Sequence, residues 1–285
     1  MRKSRKSNPM KKTYIIAEIG LNHNGDLNIA KKLIDISAAS GCDAVKFQKR
    51  NPDVCVPEHQ KSVMRDTPWG RMTYLEYKYK VEFDKEEYDE IDRYCKDKGI
   101  SWSASPWDLD SLEFLNQYDI PFIKLPSAMI TNEELLKATC KTGKRVIIST
   151  GMSSEEEVNQ ACATLKLHSK DYAVLHCNST YPAPLEELNL SCIKTLKEKY
   201  NCEVGYSGHE FRLGTSVAAV YLGASIIERH VTLDRTMWGS DHMASVEPQG
   251  LFKLVSGIRE LERSYGDGII SVTDSEKEVR KKLRK

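Results

Sequence analysis

Apolar and polar residues follow two alternating patterns along this chain. Short runs rich in branched and aromatic residues, typical of buried strands, are separated by longer stretches with the 3.6-residue period of amphipathic helices. The short runs are Tyr14–Ile19, Ala44–Phe47, Ile100–Ala104, Phe122–Leu125, Val146–Ser149, Ala173–Cys177, Glu203–Tyr206 and Ser225–His230. The helical stretches are Leu27–Ser40, Lys85–Lys98, Leu109–Tyr118, Asn132–Lys141, Ser154–Lys166, Leu188–Lys199, Leu213–Leu222 and Pro248–Tyr265.

This alternation of strand and helix predicts parallel strands joined by crossover helices. Eight such units fit a closed barrel better than an open sheet. We therefore expect an α/β protein with one domain, a (β/α)8 TIM barrel over residues 13–268. The 285 residues suffice, because such barrels often have about 250. Asn132 and Ser154 precede acidic turns, as helix caps do, and Gly41 and Gly99 fall where helices should end.

The connection from Gln48 to Phe83 is unusually long for the loop between a strand and its helix. It carries Trp69, Arg71, Tyr74, Tyr77 and Tyr79, a composition suited to covering a polar small molecule. Long loops in compact domains are often lids or binding loops, but a packing extension on the barrel rim is an equally good interpretation.

Composition narrows the classes of function. A formal net charge of +1 argues against a general nucleic-acid or membrane-surface role. No apolar run approaches the roughly 20 residues that cross a bilayer, and no signal peptide is visible, so we expect a cytoplasmic protein. The eight cysteines contain no C-x-x-C pair and are expected to be reduced thiols. The basic segment 1–12 and the charged segment 269–285 are expected to be solvated, partly disordered tails.

Polar residues gather where the predicted strands end, which is where barrel enzymes carry their active sites. Lys46 and Lys124 are strand-end lysines, and a buried lysine needs a partner because a lone charge is costly to desolvate. Hydroxyl groups stand nearby in sequence at Ser105, Ser127, Ser149 and Ser207. Together they would form a pocket for a phosphate and a carboxylate.

Two histidines close the last two predicted strands, which are neighbours in a closed barrel. His209 and His230 could hold a divalent metal ion together, although imidazole ligands do not fix which metal it is. A hydrogen-bonded core histidine is the alternative for each of them. Glu18, on the first strand, is a candidate base or partner of a sugar hydroxyl. Asp241 could orient the substrate or act as a further acid or base.

The strand-end motifs resemble those of the sialic acid synthase family, in order, from about Tyr14 to about Gly268. They are Ile16-Ala17-Glu18-Ile19-Gly20 with Asn22-His23, Lys46-Phe47-Gln48-Lys49, Lys124-Leu125-Pro126-Ser127, Ser149-Thr150-Gly151-Met152, His176-Cys177 with Tyr181-Pro182, Gly205-Tyr206-Ser207-Gly208-His209-Glu210, Glu228-Arg229-His230 and Trp238-Gly239-Ser240-Asp241-His242. One such motif is weak support, but the whole series is strong.

The resemblance implies condensation of phosphoenolpyruvate with N-acetylmannosamine, its 6-phosphate or a related N-acyl amino sugar, giving a sialic acid-type 2-keto acid and phosphate. It implies that phosphoenolpyruvate is held by Lys46, Ser105, Lys124, Ser127, Ser149, Ser179 and Ser207. Gln48 and Tyr181 would contact the sugar, while Glu18 and Asp241 would share in catalysis. His209 and His230 would hold a divalent metal, usually Mn²⁺, with Mg²⁺ or Co²⁺ as alternatives.

The resemblance further implies a homodimer that acts on small molecules only. Most members continue into a small C-terminal antifreeze-like domain, which lends an arginine to the partner's substrate, whereas this sequence ends at Lys285. Ser179 is asparagine in some bacterial members and serine in the branch of the animal 9-phosphate synthases.

Three other functions stay open. A synthase for another 2-keto sugar acid would use the same donor. A lyase-type aldolase would use Lys46 or Lys124 as a Schiff-base nucleophile. A non-catalytic sugar-binding barrel is the third.

Overall fold

The computed structural model describes residues 10–284. Eight parallel strands form the barrel: β1 (Tyr14–Gly20), β2 (Ala44–Lys49), β5 (Ser101–Pro106), β6 (Phe122–Leu125), β7 (Arg145–Ser149), β8 (Tyr172–Cys177), β9 (Glu203–Gly208) and β10 (Ile226–His230). They belong to one curved sheet in the order β5-β2-β1-β10-β9-β8-β7-β6. The Ser103 hydroxyl on β5 donates to the Phe122 carbonyl on β6 at 2.5 Å and links the two ends of the sheet. The expected (β/α)8 barrel is confirmed.

Helices follow the barrel strands on the outside. They are α1 (Leu27–Ser40), α5 (Lys85–Lys98), α6 (Leu109–Leu115), α7 (Glu133–Lys141), α8 (Glu155–His168), α9 (Cys192–Tyr200), α10 (Gly214–Tyr221) and α11 (Pro248–Ser264). Ser154 and Asn132 cap their helices as predicted, and Gly41 and Gly99 end theirs with φ of 86° and 66°. The predicted start of α9 at Leu188 was wrong, because a 3-10 turn at Leu185–Glu187 precedes the helix.

Alternation along the strands creates two layers inside the barrel. The lower layer is apolar and contains Ile16, Ala44, Phe122, Ile147, Ala173, Leu175 and Ile226. Two positions further along the same strands, and therefore facing inward as well, come Glu18, Lys46, Lys124, Ser149, Cys177 and Glu228. The intervening residues, such as Ile15 and Val45, pack outward against the helices. The carboxyl ends of the strands therefore present a polar layer above an apolar floor.

The connection between β2 and α5 has its own elements. They are α2 (Pro52–Cys55), α3 (Glu58–Lys61), the antiparallel hairpin β3 (Met64–Thr67) and β4 (Gly70–Thr73), and α4 (Tyr74–Val81). Trp69 and Tyr77 pack edge-on against Trp238, with ring centroids 5.7 and 5.1 Å apart. Trp238 belongs to the loop after β10. The connection is therefore an ordered extension that contacts the barrel rim beside the strand ends.

The charged C-terminal segment contains a helix that the sequence did not predict. This is α12 (Asp274–Leu283), an exposed helix whose N-terminus is capped by Thr273 through reciprocal hydrogen bonds with Glu276. This local capping favours a helix where charge alone predicted disorder. Residues 1–9 of the predicted N-terminal tail lie outside the described residues. Within residues 10–284, no helix is long and apolar enough to cross a membrane, and the eight cysteines are free thiols.

Arg229 on β10 points outward, although its neighbours on the strand point into the barrel. Its guanidinium is 1% exposed and contacts the buried Glu210 carboxylate at 3.1 Å. It also donates to Ser216 Oγ at 2.9 Å and to the Arg212 carbonyl at 3.0 Å. This ion pair ties the end of β10 to the loop that leads into α10, which makes it structural.

Replacing Glu210 with glutamine should lower the free energy of unfolding by about 3–5 kcal/mol, because the variant leaves the Arg229 charge buried without its counter-ion. Chemical denaturation measures the loss. Glu133→Gln is the matched control, since it breaks an exposed ion pair with Lys137 and should leave the free energy of unfolding almost unchanged. Equal losses in the two variants would contradict a structural role for the buried pair.

Candidate active site

A cavity of about 150 Å³ opens where the barrel strands end. Most of the residues predicted for the site line it: Glu18, Lys46, Gln48, Ser105, Lys124, Ser127, Ser179, Tyr181, His209 and His230. Three predicted residues stand just behind this lining. Ser207 donates to Glu228 at 3.1 Å, Asp241 lies 3.8 Å from His230 Nδ1, and Ser149 is buried with a hydroxyl that has no partner among the described residues.

Two lysines and two glutamates form the charged centre of this cavity. Lys46 Nζ lies 2.5 Å from Glu18 and 3.9 Å from Glu228, while Lys124 Nζ lies 3.0 Å from Glu228. All four side chains are at most 6% exposed. Lys46 also donates to Ser105 Oγ at 2.9 Å. Two ammonium groups are therefore held at a fixed spacing by carboxylates rather than by water.

Burial and neighbouring charges push the two carboxyl groups in opposite directions. Burial raises the pKa of Glu18, and the Glu228 charge adds to the rise although Lys46 opposes it. Burial also disfavours a charged Glu228, but Lys124 and Lys46 outweigh it and hold the pKa of Glu228 well below its usual range. Two carboxyl groups with separated pKa values are a common arrangement in acid–base sites. Glu18 can thus carry a proton that Glu228 does not.

Hydroxyl groups form one wall of the cavity around Gly151. The Gly151 amide donates to Ser127 Oγ at 3.0 Å. A Cβ at Gly151 would lie 2.1 Å from Ser179 Oγ and 2.7 Å from Ser127 Oγ, so only glycine lets these two hydroxyls approach the same backbone. This wall offers hydrogen bonds without charge next to the ammonium of Lys124.

The two histidines face each other across the other side of the cavity. Their ring centroids are 5.3 Å apart, and Tyr181 stacks on His209 at 4.0 Å and meets His230 edge-on at 5.4 Å. His209 Nδ1 lies 2.5 Å from the Asn178 carbonyl, which leaves Nε2 of that ring as the free nitrogen. Burial lowers the pKa of His230 to about 4, so its ring is neutral at pH 7.

These rings fit a cation with few protein ligands. Among residues 10–284, no group of three or more His, Cys, Asp or Glu side chains is arranged around one point. Two imidazoles are the side chains that fit. His209 is oriented by a backbone carbonyl, as metal-ligating histidines often are, and the buried His230 Nδ1 has no hydrogen-bond partner within the described part of the chain. This imidazole pair with the Asp241 carboxylate beside it suits a divalent ion whose other positions are filled by water or substrate.

Three residues at the site were missed by sequence reasoning. Glu228 was noted at a strand end but given no role, although Ile226, Glu228 and His230 follow the inward period of two. Arg50 and Trp107 lie two positions beyond Gln48 and Ser105, so the same period continued past the strands would have found them.

Two larger cavities occur on the barrel. One of about 690 Å³ lies between α8 and α9 and shares Met152, Cys177 and Ser179 with the central lining, and one of about 760 Å³ lies beside the loops after β9 and β10. Neither contains a group of buried, facing charges like the four at the centre. We assign the site by this convergence of chemistry rather than by volume.

A parallel barrel with two buried lysines, two buried carboxyl groups of separated pKa and facing imidazoles at its strand ends defines a barrel enzyme that handles anionic substrates. Residues 33–270 of the chain match the model of the NeuB family. The chain belongs to this family, and the expectation of a synthase of the sialic acid type, a carbon–carbon bond-forming transferase, is confirmed at that level.

Several relatives are similar over nearly the whole chain. The N,N'-diacetyllegionaminic acid synthase of Campylobacter jejuni is 41% identical over 96% of this chain and 85% of its own length. The human N-acetylneuraminate-9-phosphate synthase is 39% identical over 95% of this chain and 76% of its own. The structure of N-acetylneuraminic acid synthetase from Leptospira borgpetersenii, in complex with citrate, has a TM-score of 0.84 and 35% identity, covering 96% of this chain and 93% of the other.

Proposed function

We propose that this protein condenses phosphoenolpyruvate with the open-chain form of an N-acyl hexosamine. The acceptor would be N-acetylmannosamine, its 6-phosphate or a related amino sugar, and the product a nonulosonate with release of phosphate. The observation that carries this proposal is the pair of buried lysines opposite the pair of facing imidazoles. One half of the cavity suits a small polyanion, and the other suits an aldehyde to be activated.

The donor would lie on the lysine and serine side. The ammonium groups of Lys46 and Lys124 offset the charges of the phosphate and the carboxylate, and the hydroxyls of Ser105, Ser127 and Ser179 donate to their oxygens. Ser207 supports this side through Glu228, and Ser149 supplies a further hydroxyl behind it. Because these groups are fixed before the substrate arrives, little reorganisation is needed during the reaction.

The acceptor would lie on the imidazole side, where Gln48 and Tyr181 can contact its hydroxyl groups. Carbon 3 of phosphoenolpyruvate attacks the aldehyde carbon, water adds at carbon 2, and the carbon–oxygen bond to phosphate breaks. One proton of the water ends on the new hydroxyl and the other on phosphate. Glu18, with its raised pKa, can hold the first of these protons, and Asp241 can orient the imidazole of His230.

His209 and His230 would hold a divalent metal, with Mn²⁺ as the first candidate and Mg²⁺ or Co²⁺ as alternatives. Such an ion supplies Lewis-acid polarisation of the aldehyde oxygen. The protein's own contribution is to lower the pKa of His230 through burial and to fix the ring of His209 through the Asn178 carbonyl.

The test is phosphate release with phosphoenolpyruvate, a panel of amino-sugar acceptors and Mn²⁺, with the products identified by mass spectrometry. Release should require both substrates and should stop after treatment with excess chelator and dialysis, then return on addition of metal. A rate unchanged by removal of metal would overturn the metal assignment. Tight substrate binding without phosphate release would favour the sugar-binding barrel instead. Products from other aldehydes would favour another 2-keto sugar acid.

A Schiff-base aldolase that uses Lys124 is disfavoured by the charges around that lysine. A nucleophilic amine needs a lowered pKa, but although burial lowers the pKa of Lys124, Glu228 together with Cys177 and Glu18 outweighs burial and raises it. Borohydride trapping with pyruvate tests this point, since only the aldolase forms a reducible adduct.

The resemblance also supports a cytoplasmic homodimer, which light scattering of the purified chain and fractionation of cells would test.

Gly151→Ala should raise KM for phosphoenolpyruvate by about tenfold or more, because the added methyl group would occupy the space beside Ser127 and Ser179. That ratio corresponds to about 1.4 kcal/mol of lost binding. Steady-state kinetics with saturating acceptor measure it. Gly214→Ala, at a glycine with open space around it and no left-handed backbone, is the comparison variant outside the cavity. An unchanged KM in Gly151→Ala would place the donor elsewhere.

A further inference from the structure

A second cavity of about 230 Å³ lies under the extension between β2 and α5, next to the central one. Arg50, Lys78 and Trp107 line it, and Trp107 also lines the central cavity. Gln48 joins the two as well, because its side-chain oxygen accepts from the Arg50 guanidinium while its amide donates to Glu18 at 3.1 Å. The central cavity is too small for two substrates, since small-molecule sites have volumes of roughly 300–1,000 Å³. The acceptor therefore needs space beyond it.

Donor groups without partners converge on this second cavity. The Arg50 guanidinium stacks on the Trp107 ring at 4.0 Å, and its Nη1 is buried with no hydrogen-bond partner among residues 10–284. Trp107 Nε1 is likewise buried and unpaired within the described part of the chain. Buried donors are almost always satisfied in folded proteins, by protein, water or ligand. Two unpaired donors on adjacent, stacked side chains indicate a site for an acceptor of hydrogen bonds.

Lys78 adds a cation to the same cavity. Its ammonium lies 5.1 Å from the Tyr74 ring centroid and 5.2 Å from that of Tyr77, and no carboxylate of the described residues lies within ion-pair distance. Burial first, and then the Arg50 charge, lower the pKa of Lys78 to about 8, while Asp241 acts in the opposite direction. The positive charge of the Lys78 ammonium is therefore only partly balanced by nearby carboxylates.

The carboxylate in the lining is already engaged. Glu82 lies 2.9 Å from Lys49 Nζ and accepts from the Arg50 amide at 3.0 Å. Arg50 and Lys78 are then two cations facing a cavity in which, among the described residues, no carboxylate forms an ion pair with Lys78 and the one in the lining is shared with Lys49. A buried cation is costly to desolvate without a counter-charge.

We propose that Arg50, Lys78 and Trp107 bind an anionic oxygen group, a phosphate or a carboxylate, carried by the acceptor sugar. The inference rests on the proposed function, because Gln48 connects this cavity to the acceptor side of the centre. The donor has its own cations in Lys46 and Lys124, so this second pair is free for the acceptor. An acceptor with a terminal phosphate, such as N-acetylmannosamine 6-phosphate, fits two cations and an indole N–H better than a neutral sugar does.

The first test needs no turnover. The whole chain is acetylated briefly at pH 7, and mass spectrometry follows the rate at Lys78 relative to Lys80, an exposed lysine on the same helix. N-Acetylmannosamine 6-phosphate should slow acetylation of Lys78 about tenfold, because a bound anion that raises its pKa by one unit leaves a tenth of the free amine. N-Acetylmannosamine should slow it little, and Arg50→Met should abolish the protection.

The possible outcomes distinguish a phosphate from a carboxylate on the acceptor, and they distinguish a failure of the anion site from a failure of the proposed function. Protection by N-acetylmannosaminuronic acid instead of the 6-phosphate supports the site and identifies a carboxylate. Equal protection by the neutral sugar, or none by either anionic sugar, overturns the anion site. If protection fails while metal-dependent phosphate release proceeds, the inference is wrong and the proposed function stands. Protection of Lys78 without any phosphate release would support the anion site and contradict the proposed function.

Kinetics give the second measurement. Lys78→Met should raise KM for the anionic acceptor at least tenfold with a small change in kcat, Lys78→Arg should recover most of the affinity, and Lys80→Met should match the parent protein. A loss in kcat alone, or no recovery with arginine, would contradict anion binding at this position.

Discussion

Replacing His230 with alanine is expected to lower the rate of phosphate release by about a thousandfold, which corresponds to roughly 4 kcal/mol of transition-state stabilisation. The reason is geometric. His230 is one of two imidazoles whose ring centroids lie 5.3 Å apart, and a metal ion held by both of them would have little affinity left after losing one. Steady-state rates over a range of Mn²⁺ concentrations measure the effect.

A direct measurement of metal binding distinguishes the loss of a metal ligand from misfolding of the variant. Calorimetric titration of Mn²⁺ should show binding to the parent protein and none to His230→Ala at the same concentrations, while thermal unfolding changes little. His168→Ala, at an exposed histidine near the end of α8, should bind metal and turn over normally. Full activity in His230→Ala would remove the ligand role from this residue, and with it the case for an ion at this side of the cavity.

The fold could be predicted because local and long-range signals agree. Apart from Lys46 and Lys124, which lie in the polar layer at the strand ends, the runs at Ala44–Phe47 and Phe122–Leu125 are apolar on both faces, as parallel strands covered by helices require. Helix ends were found where a side chain or a glycine decides the boundary, as at Asp84, whose helix was predicted with the bounds observed. The C-terminal helix α12 was missed because it is polar all round and its capping box stands within a run of charges.

The site could be predicted where it follows from strand order. His209 and His230 were expected to be neighbours because barrel closure places β9 beside β10, and the structure does bring their rings together. Arg50 and Lys78 could not be found in this way. Lys78 stands on α4 within the long connection, and only the packing of Trp69 and Tyr77 on Trp238 places that helix over the strand ends. Contacts between loops carry no periodic signal in the sequence.

Glu228 pairs with two buried lysines that could bind an anion. Its carboxylate lies 3.0 Å from Lys124 and 3.9 Å from Lys46, and with Glu18 it keeps two buried ammonium groups compatible with folding. A substrate with a phosphate and a carboxylate would meet the same two ammonium groups. If the donor binds there as proposed, it would add its negative charge to that of Glu228, the counter-ion already present.

Glu228→Gln is expected to lower the free energy of unfolding by about 3–5 kcal/mol in the absence of substrate, because the isosteric amide leaves the Lys124 charge buried without its partner. Phosphoenolpyruvate should restore part of this loss, since a ligand that binds only the folded state and replaces the missing charge stabilises it. Thermal unfolding with and without phosphoenolpyruvate measures the difference.

The informative quantity is the rise in Tm caused by phosphoenolpyruvate, which should be larger in Glu228→Gln than in the parent protein. Glu210→Gln is the comparison, because it also leaves a buried cation unpaired, but Arg229 faces the helices rather than the cavity, so the donor cannot compensate it. If phosphoenolpyruvate stabilised both variants equally, the two lysines would not be where the donor binds. A larger rise in Glu228→Gln alone would locate the anion between Lys46 and Lys124, because only there does the ligand replace the charge that the substitution removed.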